Sequence, residues 1–303
     1  MNEASISERL SCLARGTAPR AALRQATGMV FAVVSLARVP DPAGQGPRLA
    51  EALRALAGAG EATVIGTESK LPAPWAALAN AASATRADGS GLTGLRTAHH
   101  AIPVVMAAIA VAEMLGASGA ELLSAVAVGC EVSTRLHDGL GRSVSAKGWD
   151  ETAALGGLGA AVAAGRLLGL GEAQQAAAIG IASTRAAGFQ GALGTDVAAF
   201  QVGKAAADGI EAAHMAGRGF TAPPMSIEGR RGLGHLLADR PSYHVIIAGL
   251  GDVWRIEQAP TDANRPPADA VLRDACLNLP AADGLSELLT AATWPPSQPA
   301  SSP

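Results

Sequence analysis

The middle of the chain carries long apolar stretches that polar residues rarely interrupt. Between Lys147 and Gly232 the pattern predicts three helices, at about 152–168, 172–189 and 198–217. Each consists mainly of Ala, Gly, Leu, Val and Ile, and a helix that is apolar on most faces must be buried on most faces. The small side chains also let neighbouring helices approach closely. The pattern therefore predicts a helical core.

The rest of the chain continues this helical pattern with short loops. Further helices are predicted at about 4–14, 18–37, 48–58, 74–86, 103–116 and 119–137. Ser118, followed by Glu121, is a capping-box signature for the start of one of them. Loops are predicted at 41–47, 88–98 and 138–149, and a strand only at 62–67. The sequence thus predicts an all-α protein, a multi-helix bundle.

The composition changes near residue 258. Residues 1–257 carry the helical pattern and are predicted to form one helical domain. Residues 258–303 are rich in Pro, Ala and Ser and end in WPPSQPASSP. Such a segment buries too little apolar surface to offset the entropy lost on ordering it. We therefore predict a C-terminal tail that is partly disordered.

Composition and charge exclude several classes of protein. Apolar residues make up 49% of the chain and aromatic residues only 3%, which favours helices over a β-sandwich. The formal net charge is −3 and the basic residues are scattered, so no nucleic-acid partner is expected.

The cysteine spacing and the lengths of the apolar runs exclude further classes of protein. Cys12, Cys130 and Cys276 are far apart, which fits neither a disulfide framework nor a four-thiolate cluster. We therefore expect no cysteine-bound metal, and nothing else in the sequence implies a metal or an organic cofactor. The N-terminus carries no apolar leader pattern, and apolar runs such as 101–112 are too short to cross a bilayer. These features predict a cytoplasmic protein without a membrane partner.

Four segments carry a family resemblance. In chain order they are GAAVAAGRLLGL, AAAIGIASTRAAGF, VGKAAADGIEAAHMAGRGFTAPP and SIEGRRG. Together they resemble the large helical domain of the MmgE/PrpD family, which includes 2-methylcitrate dehydratase and cis-aconitate decarboxylase. The resemblance implies a lyase or isomerase for small polycarboxylates that needs no cofactor. It ends near GLGDVW, and nothing in 258–303 resembles the family's small α+β domain, so we expect that domain to be missing and the chain truncated.

Two family motifs place candidate site residues before the central core. The motif NGxxxHxLDxDD aligns with NAASATRADGSG, which keeps Asp88 but has Thr85 in place of the His. Asp88 is also a common type of turn residue. The motif HPxxxxxP places Arg96 where the His would be, and a guanidinium can bind a carboxylate but cannot act as a base. The neighbouring pair His99–His100 is out of register and is expected in a solvated loop.

Two further motifs lie within the central core. The motif GWHxT reads GWDET here, so Asp150 stands in register with the family's acid/base His. Asp150 and Glu151 also suit the first turn of a helix, where they favour capping. The motif GTxxKPxHxG reads GTDVAAFQVG, with Ala198 in place of the Lys and Gln201 in place of the His. Lys204 is expected to be a solvated helix charge.

The other histidines give no grouping in the sequence. His137, His214, His235 and His244 are isolated and are expected to be structural.

Two hypotheses from different classes follow. The first is a lyase-type enzyme with an altered or lost standard activity, in which Asp88, Arg96, Asp150 and Gln201 surround a small carboxylate ligand. The second is a noncatalytic scaffold, or a subunit that pairs with a full-length relative. Both predict a homodimer or a heteromer through the helical domain.

Overall fold

The computed structural model describes residues 4–39, 45–58, 60–88 and 96–258. The first half contains the helices α1 Ile6–Arg15, α2 Arg20–Ala37, α3 Gln45–Ala57, α4 Ala73–Asp88, α5 Arg96–Leu115 and α6 Gly119–Leu136. The second half contains α7 Arg142–Ala146, α8 Glu151–Leu167, α9 Glu172–Ser183, α10 Asp196–Gly217, α11 Leu233–Leu237 and α12 Tyr243–Ile247. The predicted all-α class is therefore confirmed. The predicted C-terminal tail lies outside the described residues, except for Gln258.

The core is built around α8, which packs against α5, α6, α9 and α10. Every residue from Thr152 to Gly165 is buried, as the apolar pattern predicts. Small residues permit this close packing. A Cβ added to Gly129 on α6 would lie 2.9 Å from the carbonyl oxygen of Gly159 on α8. At this crossing the two backbones are too close for any side chain.

The single strand predicted at 62–67 is shorter than expected and belongs to a hairpin. Strand β1 Ala62–Thr63 pairs antiparallel with β2 Lys70–Leu71. The buried Asn80 of α4 accepts a hydrogen bond from the Ile65 backbone N–H and donates one to the Thr63 carbonyl, each at 2.8 Å. Asn80 therefore joins the hairpin to the helical body.

Helix α5 begins at Arg96, before the predicted start at 103, and Pro103 lies inside it. A proline lacks the N–H that the helix needs, and its ring needs space. Helix α8 provides that space at Gly156, where an added Cβ would lie 2.7 Å from Pro103 Cγ. The prediction was wrong here because a proline can remain inside a helix when its neighbour leaves room.

Two other boundaries differ from the prediction. Helix α9 ends at Ser183 instead of 189, and Gly188 beyond it has a φ of 112°, which a helix cannot contain. The predicted loop 138–149 is mostly helical, with a π-helical turn at His137–Gly141 followed by α7. Gly139 in this turn accepts a hydrogen bond from the Ser242 N–H at 2.9 Å. A contact that is distant in sequence therefore stabilises the π-helical turn.

A buried ion pair fixes the segment after α12 to the core. Arg135 and Glu131 on α6 are in contact at 2.6 Å, and both side chains are fully buried. Arg135 also donates hydrogen bonds to the carbonyl oxygens of Ile246, Ala248, Gly249 and Val253. Glu131 accepts one from the Ile256 N–H at 3.0 Å. One side-chain pair thus satisfies the polar backbone of a whole irregular segment.

Two observations concern the expectations about membrane helices and cysteines. Among the described residues, no helix combines the length and the apolar character needed to cross a membrane. Cys12 and Cys130 are free thiols, and Cys276 lies outside the described part.

Candidate functional site

The structure brings together two of the four predicted site residues, Asp150 and Gln201. Asp150 is the N-cap of α8, and its Oδ1 accepts a hydrogen bond from the Ala153 N–H at 2.9 Å. Its Oδ2 accepts one from Gln201 Nε2 at 3.2 Å. Both carboxylate oxygens of Asp150 are therefore engaged within the protein.

Gln201 extends this contact to the loop before α10. Its Oε1 accepts a hydrogen bond from the Phe189 N–H at 3.1 Å, and its Nε2 also approaches the Phe189 carbonyl at 3.4 Å. The Asp150 N–H donates to the Gly188 carbonyl at 3.2 Å. The pair thus fastens the start of α8, the loop at 188–189 and α10 to one another. A side-chain cap of this type contributes about 0.5–2 kcal/mol to stability.

The other two predicted residues stand at helix ends. Asp88 is the last residue of α4 and Arg96 the first of α5, but their side chains lie outside the described part of the structure. Their roles stay predictions.

Lys204 has a partner that the sequence did not predict, although 35% of its side chain stays exposed. Its ammonium group contacts the buried carboxylate of Asp208 on the same helix. Asp208 also pairs with Arg185, which in turn pairs with Glu211. Lys204 therefore belongs to a partly exposed ion-pair network around the buried Asp208.

A second group of polar side chains lies beside Asp150, and sequence reasoning missed it. His100 on α5, His137 in the π-helical turn and Glu151 on α8 place one potential ligand atom each within 4.8 Å of one another. The rings of His100 and His137 lie against each other with their centroids 3.7 Å apart and their planes tilted by 33°. His100 lies inside a helix, not in the predicted solvated loop, and His137 is not isolated. Below, these three residues are called the histidine–glutamate cluster.

His137 has a defined orientation in this cluster. Its Nδ1 lies 2.7 Å from the Ser133 carbonyl oxygen, which can only accept, so Nδ1 carries the proton. Its Nε2 is buried and has no hydrogen-bond partner in the described structure. Burial lowers the pKa of His137 below its ordinary value, and the Ser133 hydrogen bond, the Glu151 charge and the Glu151 backbone oppose this only in part. Burial thus favours the neutral ring, in which Nε2 is an acceptor.

His100 and Glu151 are also held in place. His100 Nδ1 lies 3.0 Å from the hydroxyl of Thr152, which follows Asp150 by two residues. A Cβ added to Gly141 would lie 2.4 Å from Glu151 Oε2, so the glycine leaves room for this carboxylate. Two imidazoles and one carboxylate can bind a cation or move a proton.

His235 also has a contact that the sequence did not predict. Its Nδ1 lies 2.8 Å from the Tyr243 hydroxyl, at the surface of the protein. It is thus not isolated.

The comparison with curated proteins gives relatives of one kind. The chain is 33% identical over 211 residues to a protein described as cis-aconitate decarboxylase from Aspergillus terreus. A protein of the same description from Aspergillus terreus strain NIH 2624 / FGSC A1156 matches equally, at 33% identity. The matched region covers 64% of this chain and 43% of each relative, so the chain spans less than half the length of these relatives.

The comparison with family models covers more of the chain. The model described as the MmgE/PrpD N-terminal domain matches residues 17–245, which include α2 to α11 and the start of α12. It therefore covers Asp150, Gln201 and the histidine–glutamate cluster. The match agrees with the helical architecture and with the motif order in the sequence. This chain belongs to the MmgE/PrpD family.

Proposed function

We propose that this chain is a lyase-type protein for small polycarboxylates in which the family's standard dehydratase or decarboxylase activity is lost or altered. One observation carries the proposal. Asp150, in register with the acid/base His of the motif GWHxT, serves as a helix cap and binds Gln201 with its other oxygen. A carboxylate that is engaged in this way stabilises the fold and is poorly placed to exchange protons with a ligand.

The neighbouring replacements act in the same direction. Ala198 and Gln201 stand where the motif GTxxKPxHxG has its Lys and its second His, and neither side chain titrates. A positioned general acid or base contributes about 10²–10⁴-fold to a rate. Replacement of several such groups removes most of the acceleration that they provide together. Arg96 is proposed to retain the binding of a carboxylate group, and Asp88 to line the same place.

The first prediction concerns turnover. The purified chain, treated with a chelator, should release carbon dioxide from cis-aconitate and dehydrate 2-methylcitrate no faster than buffer does. Carbon dioxide release and the absorbance of the unsaturated product measure these two reactions. Turnover that is lost in Asp150→Asn, but kept in the exposed-carboxylate control Asp239→Asn, would contradict the proposal. Asparagine also caps helices well, so this variant tests chemistry without losing the fold.

A second candidate function is a noncatalytic subunit that pairs with another copy or with a longer relative. Exposed apolar side chains around the start of α10 favour it, namely Phe189, Leu193, Val197 and Phe200, which are 40–65% exposed. Val197 and Phe200 also line a surface depression with Leu49, Ala82 and Arg86. Apolar surface of this kind commonly marks an interface.

The second prediction tests this assembly. Light scattering should give the purified chain a mass of a dimer or larger, and Phe200→Glu should shift it to the monomer because a charge cannot be buried there unpaired. Phe220→Glu is the matched control, since Phe220 is 61% exposed beyond the opposite end of α10. A monomeric wild-type chain that also fails to copurify with a longer relative would exclude the subunit role.

A further inference from the structure

We propose that the histidine–glutamate cluster, His100, His137 and Glu151, binds one divalent transition metal ion of the zinc type. This inference does not depend on the proposed function, because it concerns metal affinity and not turnover. It departs from the expectation of no metal, which rested on the spacing of cysteines and on the family resemblance.

The geometry fits a three-ligand site. The ligand atoms of the three residues lie within 4.8 Å of one another. In a tetrahedral zinc site, ligand atoms about 2.0–2.1 Å from the metal are roughly 3.4 Å apart. Side-chain movements of about an ångström would therefore close the cluster around an ion. His100 and Glu151 are only partly buried, so an ion can enter from that side.

The tautomer of His137 is the one that a metal requires. Metal-binding histidines usually donate their other ring N–H to a carbonyl or a carboxylate, which fixes the ring. His137 does so through Nδ1, 2.7 Å from the Ser133 carbonyl oxygen. His100 has a comparable contact between Nδ1 and the Thr152 hydroxyl at 3.0 Å. In both rings Nε2 is therefore the nitrogen that would bind the ion.

An independent observation indicates that a ligand belongs here. His137 is only 9% exposed, and its Nε2 is a buried acceptor without a hydrogen-bond partner in the described structure. Leaving a buried polar atom unsatisfied is costly, so native proteins rarely keep one without a reason. A metal ion at Nε2 would satisfy this atom.

The backbone around the cluster is also unusual. His137 and Gly141 are the first and last residues of the π-helical turn. Such turns occur often at functional sites, because the extra residue redirects side chains. Gly141 leaves the space that the Glu151 carboxylate occupies. The π-helical turn and Gly141 together place the Glu151 carboxylate next to the His100 and His137 imidazoles.

The ligand chemistry selects the class of metal. Imidazole nitrogens with one carboxylate suit zinc and its neighbours in the first transition row, whereas Mg²⁺ prefers an octahedral shell of oxygens. Three protein ligands are typical of sites that keep a further position for water or a substrate oxygen. The cluster therefore predicts Zn²⁺ and Co²⁺ binding and no measurable Mg²⁺ binding.

The experiment is a calorimetric titration of the chelator-treated full chain with Zn²⁺, followed by the visible spectrum of the Co²⁺ form. We expect one Zn²⁺ per chain and the absorption of a four- or five-coordinate Co²⁺ complex. Glu151→Gln and His100→Gln should each weaken Zn²⁺ binding by more than the roughly 10–100-fold that loss of an outer contact costs. Zn²⁺ should also raise the Tm of the wild-type chain but not that of Glu151→Gln.

His244→Gln is the control, since this exposed histidine lies outside the cluster. It should bind Zn²⁺ as the wild-type chain does. Far-UV circular dichroism verifies that each variant is folded. His100 and Glu151 are chosen for substitution because they are only partly buried, whereas a change at the buried His137 could unfold the chain. Absence of Zn²⁺ binding by the wild-type chain, or binding that persists unchanged in both Glu151→Gln and His100→Gln, would overturn the proposal.

Discussion

Replacing Arg135 with alanine should lower the free energy of unfolding by about 3–5 kcal/mol, as expected when one partner of a buried ion pair is removed. The change leaves the Glu131 carboxylate in the core without its counter-charge, 0% exposed. It also removes the donor to four backbone carbonyls between Ile246 and Val253. Chemical unfolding followed by circular dichroism measures the change.

A double variant separates the charge from the backbone contacts. In Glu131→Gln with Arg135→Met no buried charge remains, and such replacements are often neutral. Here we still expect a loss, because the four carbonyls would lack a donor. The control is Lys147→Ala, which breaks an exposed pair with Asp239 and should change stability by about 0–1 kcal/mol. Equal effects of Arg135→Ala and Lys147→Ala would show that the buried pair does not hold this segment.

The second large effect is expected from Gly209→Ala on α10. The added methyl group would lie 2.4 Å from Ala160 Cβ and 2.6 Å from the Ala161 backbone nitrogen on α8. Overpacking usually costs about 1–3 kcal/mol, and a clash with backbone should fall at the upper end of that range. The clash would displace α10 from α8. This displacement would also disturb the contact between Asp150 and Gln201, which depends on how the two helices pack. Chemical unfolding should therefore show a clear loss.

Gly28→Ala provides a matched control of opposite sign. Gly28 lies within α2, and an added Cβ would meet nothing within 4 Å. Alanine favours a helix over glycine by roughly 0.5–1 kcal/mol, so this variant should be more stable than the wild-type chain. If both variants changed stability in the same direction by similar amounts, close packing of α8 and α10 would not explain the glycine-rich core.

The fold was largely predictable from local signals. The apolar character of 152–168 on all faces predicts burial, and α8 is buried from Thr152 to Gly165. The capping box at Ser118 is confirmed, with the Ser118 hydroxyl accepting from the Glu121 N–H at 3.3 Å. Such features depend on neighbours in the chain, so a sequence contains the information needed to find them.

What the sequence did not reveal depends on contacts between distant segments. Pro103 is tolerated inside α5 because Gly156 lies opposite, and the turn at His137–Gly141 is helical where a loop is predicted. Neither fact follows from residues near in sequence. From nearby residues alone, a proline such as Pro103, or glycines such as Gly139 and Gly141, can only be interpreted as ending a helix.

The candidate site likewise has one part that the sequence predicted and one part that it did not. Motif register places Asp150 and Gln201 in one candidate site with Asp88 and Arg96, and the structure brings the first two side chains into contact. The histidine–glutamate cluster joins three segments that are far apart in the chain, so no spacing rule identifies it. The only signal was the out-of-register pair His99–His100, placed about one helical turn after Arg96.

The most direct test of the central claim is hydrogen exchange at carbon next to a carboxylate. The chelator-treated chain is incubated with 2-methylcitrate or cis-aconitate in deuterated water, and proton NMR follows loss of the carbon-bound protons. This detects proton transfer even without net product formation. We predict exchange at the rate seen without protein, because Asp150 serves as a helix cap. Faster exchange that Asp150→Asn abolishes would contradict this account.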